Sequence, residues 1–319
     1  MKKKTSAILK SAGAVTGVIG ALGFMVFHEI MHRDASLPEK MSKIITKQPE
    51  PVETPSVDER SAWFHNQALE DFEIINAKGF KLKGYLLPSD EPSDIYVFCS
   101  HGYRNCGSGE FHCMAKFYHD KGWNVFLVDH QAAGMSEGKY IGFGFHECRD
   151  SLQWLDFMRN HFGKDIQIVL HGVSMGSATV MLMAGSGRLP ENVKFVIADC
   201  GYTSAYDQFV HNAKGMHIPS FPVINAASFF NRMISGFDFK DASPLDAVKK
   251  TTVPMLFIHG AKDDFVPTHM VNELYNACSS EHKELLIVEG AAHAESYPTD
   301  SKTYENMISS YAERYIVLH

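Results

Sequence analysis

Ser174 lies in Gly172-Val173-Ser174-Met175-Gly176, behind an apolar run from Ile166 to Leu170 and ahead of a segment with helix-like apolar content. Strand, Gly-x-Ser-x-Gly and helix make a sharp turn that holds a serine hydroxyl out above a sheet, with small residues where backbones crowd. A serine hydroxyl is a poor nucleophile until a nearby base takes its proton and a third group orients that base. In this arrangement the acid and base follow the serine at the ends of later strands, in the order Asp or Glu and then His. Asp263 falls in a turn after the run ending Phe257-Ile258-His259, and His293 in the loop after Leu285-Leu286-Ile287-Val288. With 17 histidines in the chain, residue type is weak evidence, and location and order single out His293. Asp264 is the rival acid; the Gly-x-x-Asp-x-x-Val spacing from Gly260 to Val266 selects Asp263. Charge developing on an attacked carbonyl oxygen needs backbone donors, one from the residue after the serine and one from an earlier strand-end loop. Met175 supplies the first and Tyr103, after Ser100-His101-Gly102, the second.

These residues need a sheet to hold them. Phe72–Ile75 and Phe80–Leu87 read as an antiparallel pair joined by a short turn at Gly79. Ile95–Cys99, Trp123–Val128, Val193–Asp199, Pro254–His259 and Leu285–Val288 read as further strands. Helices are expected near Phe111–His119 and Phe145–Phe162. Strands alternating with helices imply a largely parallel sheet covered on both faces. The interval from about 201 to 250 is too long for one crossover helix, so part of it is expected to be a cap over the sheet's carboxyl edge, where ligands bind in open sheets. Phe221, Phe229, Phe230 and Met233 are candidates to line an apolar pocket there, or to pack the cap onto the core.

The chain has 319 residues, 45% hydrophobic and 21% charged, with a net charge of −7. That composition buries a sizeable core and gives no reason to expect nucleic acid. Six cysteines form no spaced framework, so free thiols are the default, with Cys106 and Cys113 close enough in one loop to pair. The chain begins Met1-Lys-Lys-Lys and continues with an uncharged run from Ser11 to His28. A secretory signal has the same shape, but no small-x-small cleavage site follows. Residues 1–33 are therefore expected to form a cytoplasmic basic start and single membrane-spanning anchor, residues 34–70 a linker with Pro49, Pro51 and Pro55, and residues 71–319 the soluble domain, outside the membrane by the positive-inside rule. Gly13-x-x-x-Gly17 reads as small residues filling a helix rather than as a pairing face. His28-Glu29-Ile30-Met31-His32 matches a zinc-helix pattern, but beside a polar linker it lacks a third ligand and a walled cleft.

With these residues in place, the chain resembles the α/β-hydrolases, in particular membrane-anchored or cell-surface bacterial serine hydrolases. The similar pieces are His101-Gly102-Tyr103, Gly134-Met-Ser-Glu-Gly138, His171-Gly-Val-Ser-Met-Gly176, Asp199-Cys-Gly-Tyr-Thr203, Pro222-Val-Ile-Asn-Ala-Ala227 and His259-Gly-Ala-Lys-Asp263-Asp-Phe-Val-Pro267. The resemblance spans Asp71 to His319 and implies Ser174 as nucleophile, Asp263 as acid and His293 as base. Such families commonly carry Asp-x-Arg-Gly-His-Gly-x-Ser where this chain reads Asp129-His-Gln-Ala-Ala-Gly-Met-Ser136. The expected activity is hydrolysis of a small carboxylic ester or other acyl substrate through an acyl-enzyme, with no metal or organic cofactor required. A peptidase of the same fold is the runner-up, for which Asp238 and Asp241 are the acidic residues available to hold a substrate amino terminus. Thioesterase activity is less attractive for a domain outside the cell, and a dehalogenase would need a carboxylate at position 174. A non-catalytic, membrane-tethered binding module is the alternative from another class.

Overall fold

A computed structural model describes residues 2–35, 55–216 and 219–317. An eight-stranded sheet forms the centre, with strands β1 (Glu70–Ile75), β2 (Lys81–Leu87), β3 (Ile95–Ser100), β4 (Asn124–Val128), β5 (Gln167–Val173), β6 (Val193–Asp199), β7 (Met255–Gly260) and β8 (Lys283–Val288). Their order is β1-β2-β4-β3-β5-β6-β7-β8. β1 and β2 pair antiparallel, β2 pairs antiparallel with β4, and every later pairing is parallel. β3, β4, β5 and β7 are buried along their whole length, which is why each reads as a mostly apolar run.

Side chains alternate across the sheet. Val97, Cys99, Val125, Leu127 and Val169 face one layer, built from α4 (Ala115–Asp120) and α11 (Ser301–Tyr315), with Tyr118, Tyr304 and Tyr311 fully enclosed. Phe98, Phe126, Ile168 and Leu170 face the other, built from α5 (Phe145–His161), α6 (Met175–Ala184) and α10 (Thr268–Ala277). β4 lies on one side of β3 and β5 on the other. The crevice of an open sheet forms where the chain reverses direction in this way, so the loops after β3 and β5 meet over it. The helix expected near Phe111–His119 is two short ones, α3 (Gly107–Phe111) and α4.

Residues 36–54 of the expected linker lie outside the described residues. Its next stretch is not a spacer: Pro55–His65 forms helix α2, with Phe64 buried and the Arg60 guanidinium hydrogen-bonded to Tyr297 and Glu305. Cys99, Cys106, Cys148, Cys200 and Cys278 are free thiols.

The expected membrane span also differs. Lys2–Met31 is one helix, α1, but no helix among the described residues is long and apolar enough to cross a membrane. Its uncharged stretch holds Ser11, Gly13, Thr16, Gly17, Gly20 and Gly23, which lower its hydropathy. Its last half is also in use as a packing face: Gly23, Phe27 and Met31, one helical turn apart, are buried. They pack with the interval between β6 and β7, which folds as α7 (Ala205–Gly215), α8 (Ser220–Ser235) and α9 (Pro244–Val248). A helix from the other end of the chain thus packs on the interval expected as a cap. His28 and His32 stack with ring centres 4.9 Å apart, and the His32 ring packs on Tyr140.

Candidate active site

β5 ends at Val173, and Ser174 takes φ 55° and ψ −114° before α6 begins. This left-handed turn is affordable only because its flanks lack side chains. A Cβ on Gly172 would overlap the Gly176 carbonyl, and one on Gly176 would overlap the carbonyl of Ser100 on β3. The Ser174 N–H donates to the Asp199 carbonyl at 2.9 Å, which ties the turn to β6.

Asp263 follows β7 and is held by the backbone it caps. Its Oδ1 accepts from the N–H groups of Phe265 (3.0 Å) and Val266 (2.8 Å), leaving Oδ2 facing His293 Nδ1 at 2.7 Å. His293 Nε2 lies 2.9 Å from Ser174 Oγ. Burial pushes the Asp263 carboxyl up, but the His293 charge and hydrogen bonds from His259 and His293 outweigh it and bring the carboxyl down to about 2. An ionised carboxylate only accepts, so the imidazole proton sits on Nδ1 and Nε2 is free to take the serine proton. Phe265 packs on the imidazole with ring centres 4.8 Å apart. Asp264 is exposed, and its carbonyl is taken by His211. The three sequence-selected residues are therefore brought together in the selected order.

The expected oxyanion loop is held peptide by peptide. His101 Nε2 accepts from the His130 N–H at 3.0 Å, so its proton is on Nδ1, which donates to the Gly102 carbonyl at 2.7 Å. Burial lowers the His101 imidazole to about 4, keeping it neutral. The Asn105 N–H donates to the same carbonyl at 3.4 Å. A trans peptide sets C=O and N–H on opposite sides, so holding the Gly102 carbonyl fixes the direction of the Tyr103 N–H. Met175 is the first residue of α6, so its N–H has no partner within the helix. Two oriented donors beside a serine hydroxyl can stabilise an oxyanion, and loss of one such donor typically costs about 3 kcal/mol.

Three residues here were given no role from the sequence: Glu110 carried no signal, and Asp199 and Cys200 appeared only within a resembling motif. The Glu110 carboxylate accepts from the Gly102 N–H (2.9 Å) and from Asn105 Nδ2 (3.0 Å), and burial raises its pKa against those bonds. Cys200, at φ 46°, brings its thiol within 4.8 Å of the Asp263 carboxylate and the His293 ring. Burial pushes that thiol well up, so it is a neutral floor under the pair. Asp199 accepts from Ser296 (3.3 Å) and Tyr304 (3.0 Å), tying the histidine loop to β6. Each contact joins distant segments, which local periodicity does not encode.

The departure at Asp129–Ser136 is absorbed by hydrogen bonds. Asp129 accepts from the N–H groups of Gly107 and Met135, and Gln131, where an arginine is common, donates to the Tyr140 carbonyl at 2.7 Å. Three of the four residues expected to line a pocket or to pack the cap onto the core are exposed. Phe221, Phe229 and Met233 are 75%, 60% and 70% exposed, on the outer side of α8. The face of α8 turned to the protein is Val223, Ile224, Ala227, Ser228 and Asn231. Phe230 packs edge-on against Phe24 of α1, with ring centres 5.3 Å apart.

Family models described as alpha/beta hydrolase fold and as serine aminopeptidase, S33, match residues 96–222 and 238–296. The chain is 30% identical over 308 residues to the YqkD protein of Bacillus subtilis (strain 168), covering 96% of this chain and 97% of that one. It is 26% identical to the monoglyceride lipase of Homo sapiens over 69% of this chain and 82% of the lipase. Among solved structures, the Pyrococcus furiosus esterase PF2001 superposes with a TM-score of 0.64 at 20% identity, covering 85% of this chain and 97% of the esterase.

Proposed function

Because the chain belongs to the α/β-hydrolase superfamily, we propose that it is a serine hydrolase cleaving carboxylic esters through an acyl-enzyme on Ser174. The carrying observation is the continuous relay from Asp263 through His293 to Ser174, at 2.7 and 2.9 Å. His293 takes the serine proton as Oγ attacks the ester carbonyl, and gives it to the departing alcohol as the tetrahedral intermediate collapses. The same imidazole then deprotonates water for deacylation. Asp263 holds the tautomer and stabilises the transient imidazolium, while the Tyr103 and Met175 N–H groups receive the oxyanion. A fluorophosphonate probe labels wild type and not Ser174→Ala; equal labelling of that variant refutes the assignment.

A peptidase is the second reading, favoured by the aminopeptidase family model across Asp263 and His293. The acids suggested for an amino terminus do not support it: Asp241 caps the Asp238 N–H, and Asp238 caps the Lys240 N–H, so both serve their own turn. Parallel panels of acyl esters and aminoacyl anilides distinguish the two, with faster anilide cleavage overturning the ester reading.

For localisation, we propose that α1 and α8 lie on a membrane surface rather than cross it. Val18, Leu22 and Met25 on α1 are exposed, as are Phe221, Phe229 and Met233 on α8. The sequence also carries Lys2, Lys3 and Lys4, a basic run whose charge suits anionic lipid. Flotation with anionic phospholipid vesicles should carry wild type and leave Phe229→Asp/Met233→Asp behind, with turnover of a water-soluble short ester unchanged. Failure of wild type to float sinks the idea.

A further inference from the structure

The end of α1 meets the loop that carries one oxyanion donor. A helix leaves its last four carbonyls without internal partners. In α1 these belong to His28, Glu29, Ile30 and Met31, and all four are satisfied. His28 takes the His32 N–H at 3.0 Å, and Met31 takes the Ile141 N–H at 2.8 Å. The other two are taken by the residues directly after Gly102. The Tyr103 hydroxyl donates to the Ile30 carbonyl at 2.7 Å, and the Arg104 guanidinium donates to the Glu29 carbonyl at 2.7 Å and to that of His32 at 3.3 Å. A cation at a helix C-terminus is favourably placed in the helix dipole.

We propose that the C-terminal end of α1 is a positioning element for the reaction, holding the Tyr103 N–H on the oxyanion through the Tyr103 hydroxyl and Arg104. This rests on the hydrolase reading of the site. The loop is gripped from two sides. His101, Asn105 and Glu110 fix Gly102 from within, as described above. Beyond Gly102, Tyr103 and Arg104 are held by these bonds to the end of α1, by the Arg104 guanidinium over the Tyr103 ring, 5.1 Å from its centre, and by packing of that ring on Phe143, with centres 5.0 Å apart. Arg104 itself sits at φ 57°, a conformation that its contacts to α1 help to maintain. Arg33, just past the helix, bonds the carbonyls of Ser136 (2.7 Å) and Gly134 (3.1 Å), so the dock is fixed on a neighbouring loop as well. Turnover therefore depends on a helix contributed by the far N-terminus, which touches no reacting atom.

Two variants loosen the hold from opposite ends. Tyr103→Phe deletes only the hydroxyl and keeps the ring and the backbone N–H. Gly23→Leu wedges α1 away from α8, because a side chain there overlaps Ala226. Each should lower kcat on a soluble short ester about tenfold, a fraction of the 10²–10³ typical for losing a donor outright, with KM within twofold and the thermal midpoint of Tyr103→Phe near wild type. In the double variant the losses should not multiply, since both act through one link. Unchanged kcat in Tyr103→Phe, a change in KM alone, or fully multiplicative losses would overturn the positioning role. If wild type neither cleaves esters nor takes the fluorophosphonate probe, the hydrolase reading falls and the positioning role with it. An active wild type with unaffected variants removes the positioning role alone.

Discussion

Replacing Asp263 by Asn changes one atom, and the structure determines what that does. Asp263 Oδ1 accepts two backbone N–H groups, from Phe265 and Val266. In the variant the amide oxygen must keep those bonds, because an NH₂ group there would face two donors. The amide NH₂ is then turned to His293 Nδ1, where the carboxylate oxygen had been at 2.7 Å. Nδ1 can meet it only as an acceptor, so the imidazole proton moves to Nε2, which points at Ser174 Oγ. The base becomes a donor aimed at the nucleophile. The same exchange of Asp for Asn in a serine–histidine–aspartate triad lowers kcat by about 10⁴, or about 5.4 kcal/mol at about 1.36 kcal/mol per decade. The assay is steady-state hydrolysis of a chromogenic short-chain ester at neutral pH, with fluorophosphonate labelling rates alongside. Asp264→Asn, on an exposed side chain, should stay within about twofold of wild type. Activity of Asp263→Asn within tenfold of wild type, or a greater loss in Asp264→Asn, would refute the tautomer argument.

The same carboxylate has a signature in acid. Its native value is depressed to about 2 from 3.8, so its stabilisation is present above the unfolded value and disappears as pH falls through the native one. The shift corresponds to roughly 2 kcal/mol. Burial drives Glu147 up to about 7 and Asp199 up to about 6, which works in the opposite direction, but both cancel in a comparison of wild type with Asp263→Asn. Urea unfolding should show their stability difference shrinking by that amount between about pH 5 and pH 2, and a constant difference would contradict the shift. Gly176→Ala drives a methyl into the Ser100 carbonyl on β3, so it should be poorly soluble or lose at least about 3 kcal/mol of stability. A normal thermal midpoint for that variant would mean that the turn is not tight in solution.

The amino-acid order by itself determined the sheet, because strands buried on both faces must be apolar throughout and therefore stand out as short runs. It also determined the turn at Ser174, since only glycine tolerates the crowding at 172 and 176, and it placed Asp263 and His293 at ends of later strands. Tertiary structure decided the rest. Whether His293 meets a serine 119 residues away depends on the order of parallel strands, not on any local period. Glu110 and Cys200 entered the site because chain reversals brought them there; Glu110 carries no local mark, and the motif around Cys200 does not say what its thiol meets. The outer position of Phe221, Phe229 and Met233 was not legible because α8 is apolar on both faces, and periodicity cannot say which one packs inward. α1 has the same ambiguity. Its uncharged run reads as a membrane span when taken alone, yet Gly23, Phe27 and Met31 find a surface on the cap, and its last carbonyls find Tyr103 and Arg104. A helix's final partners are set by what the fold leaves exposed beside it.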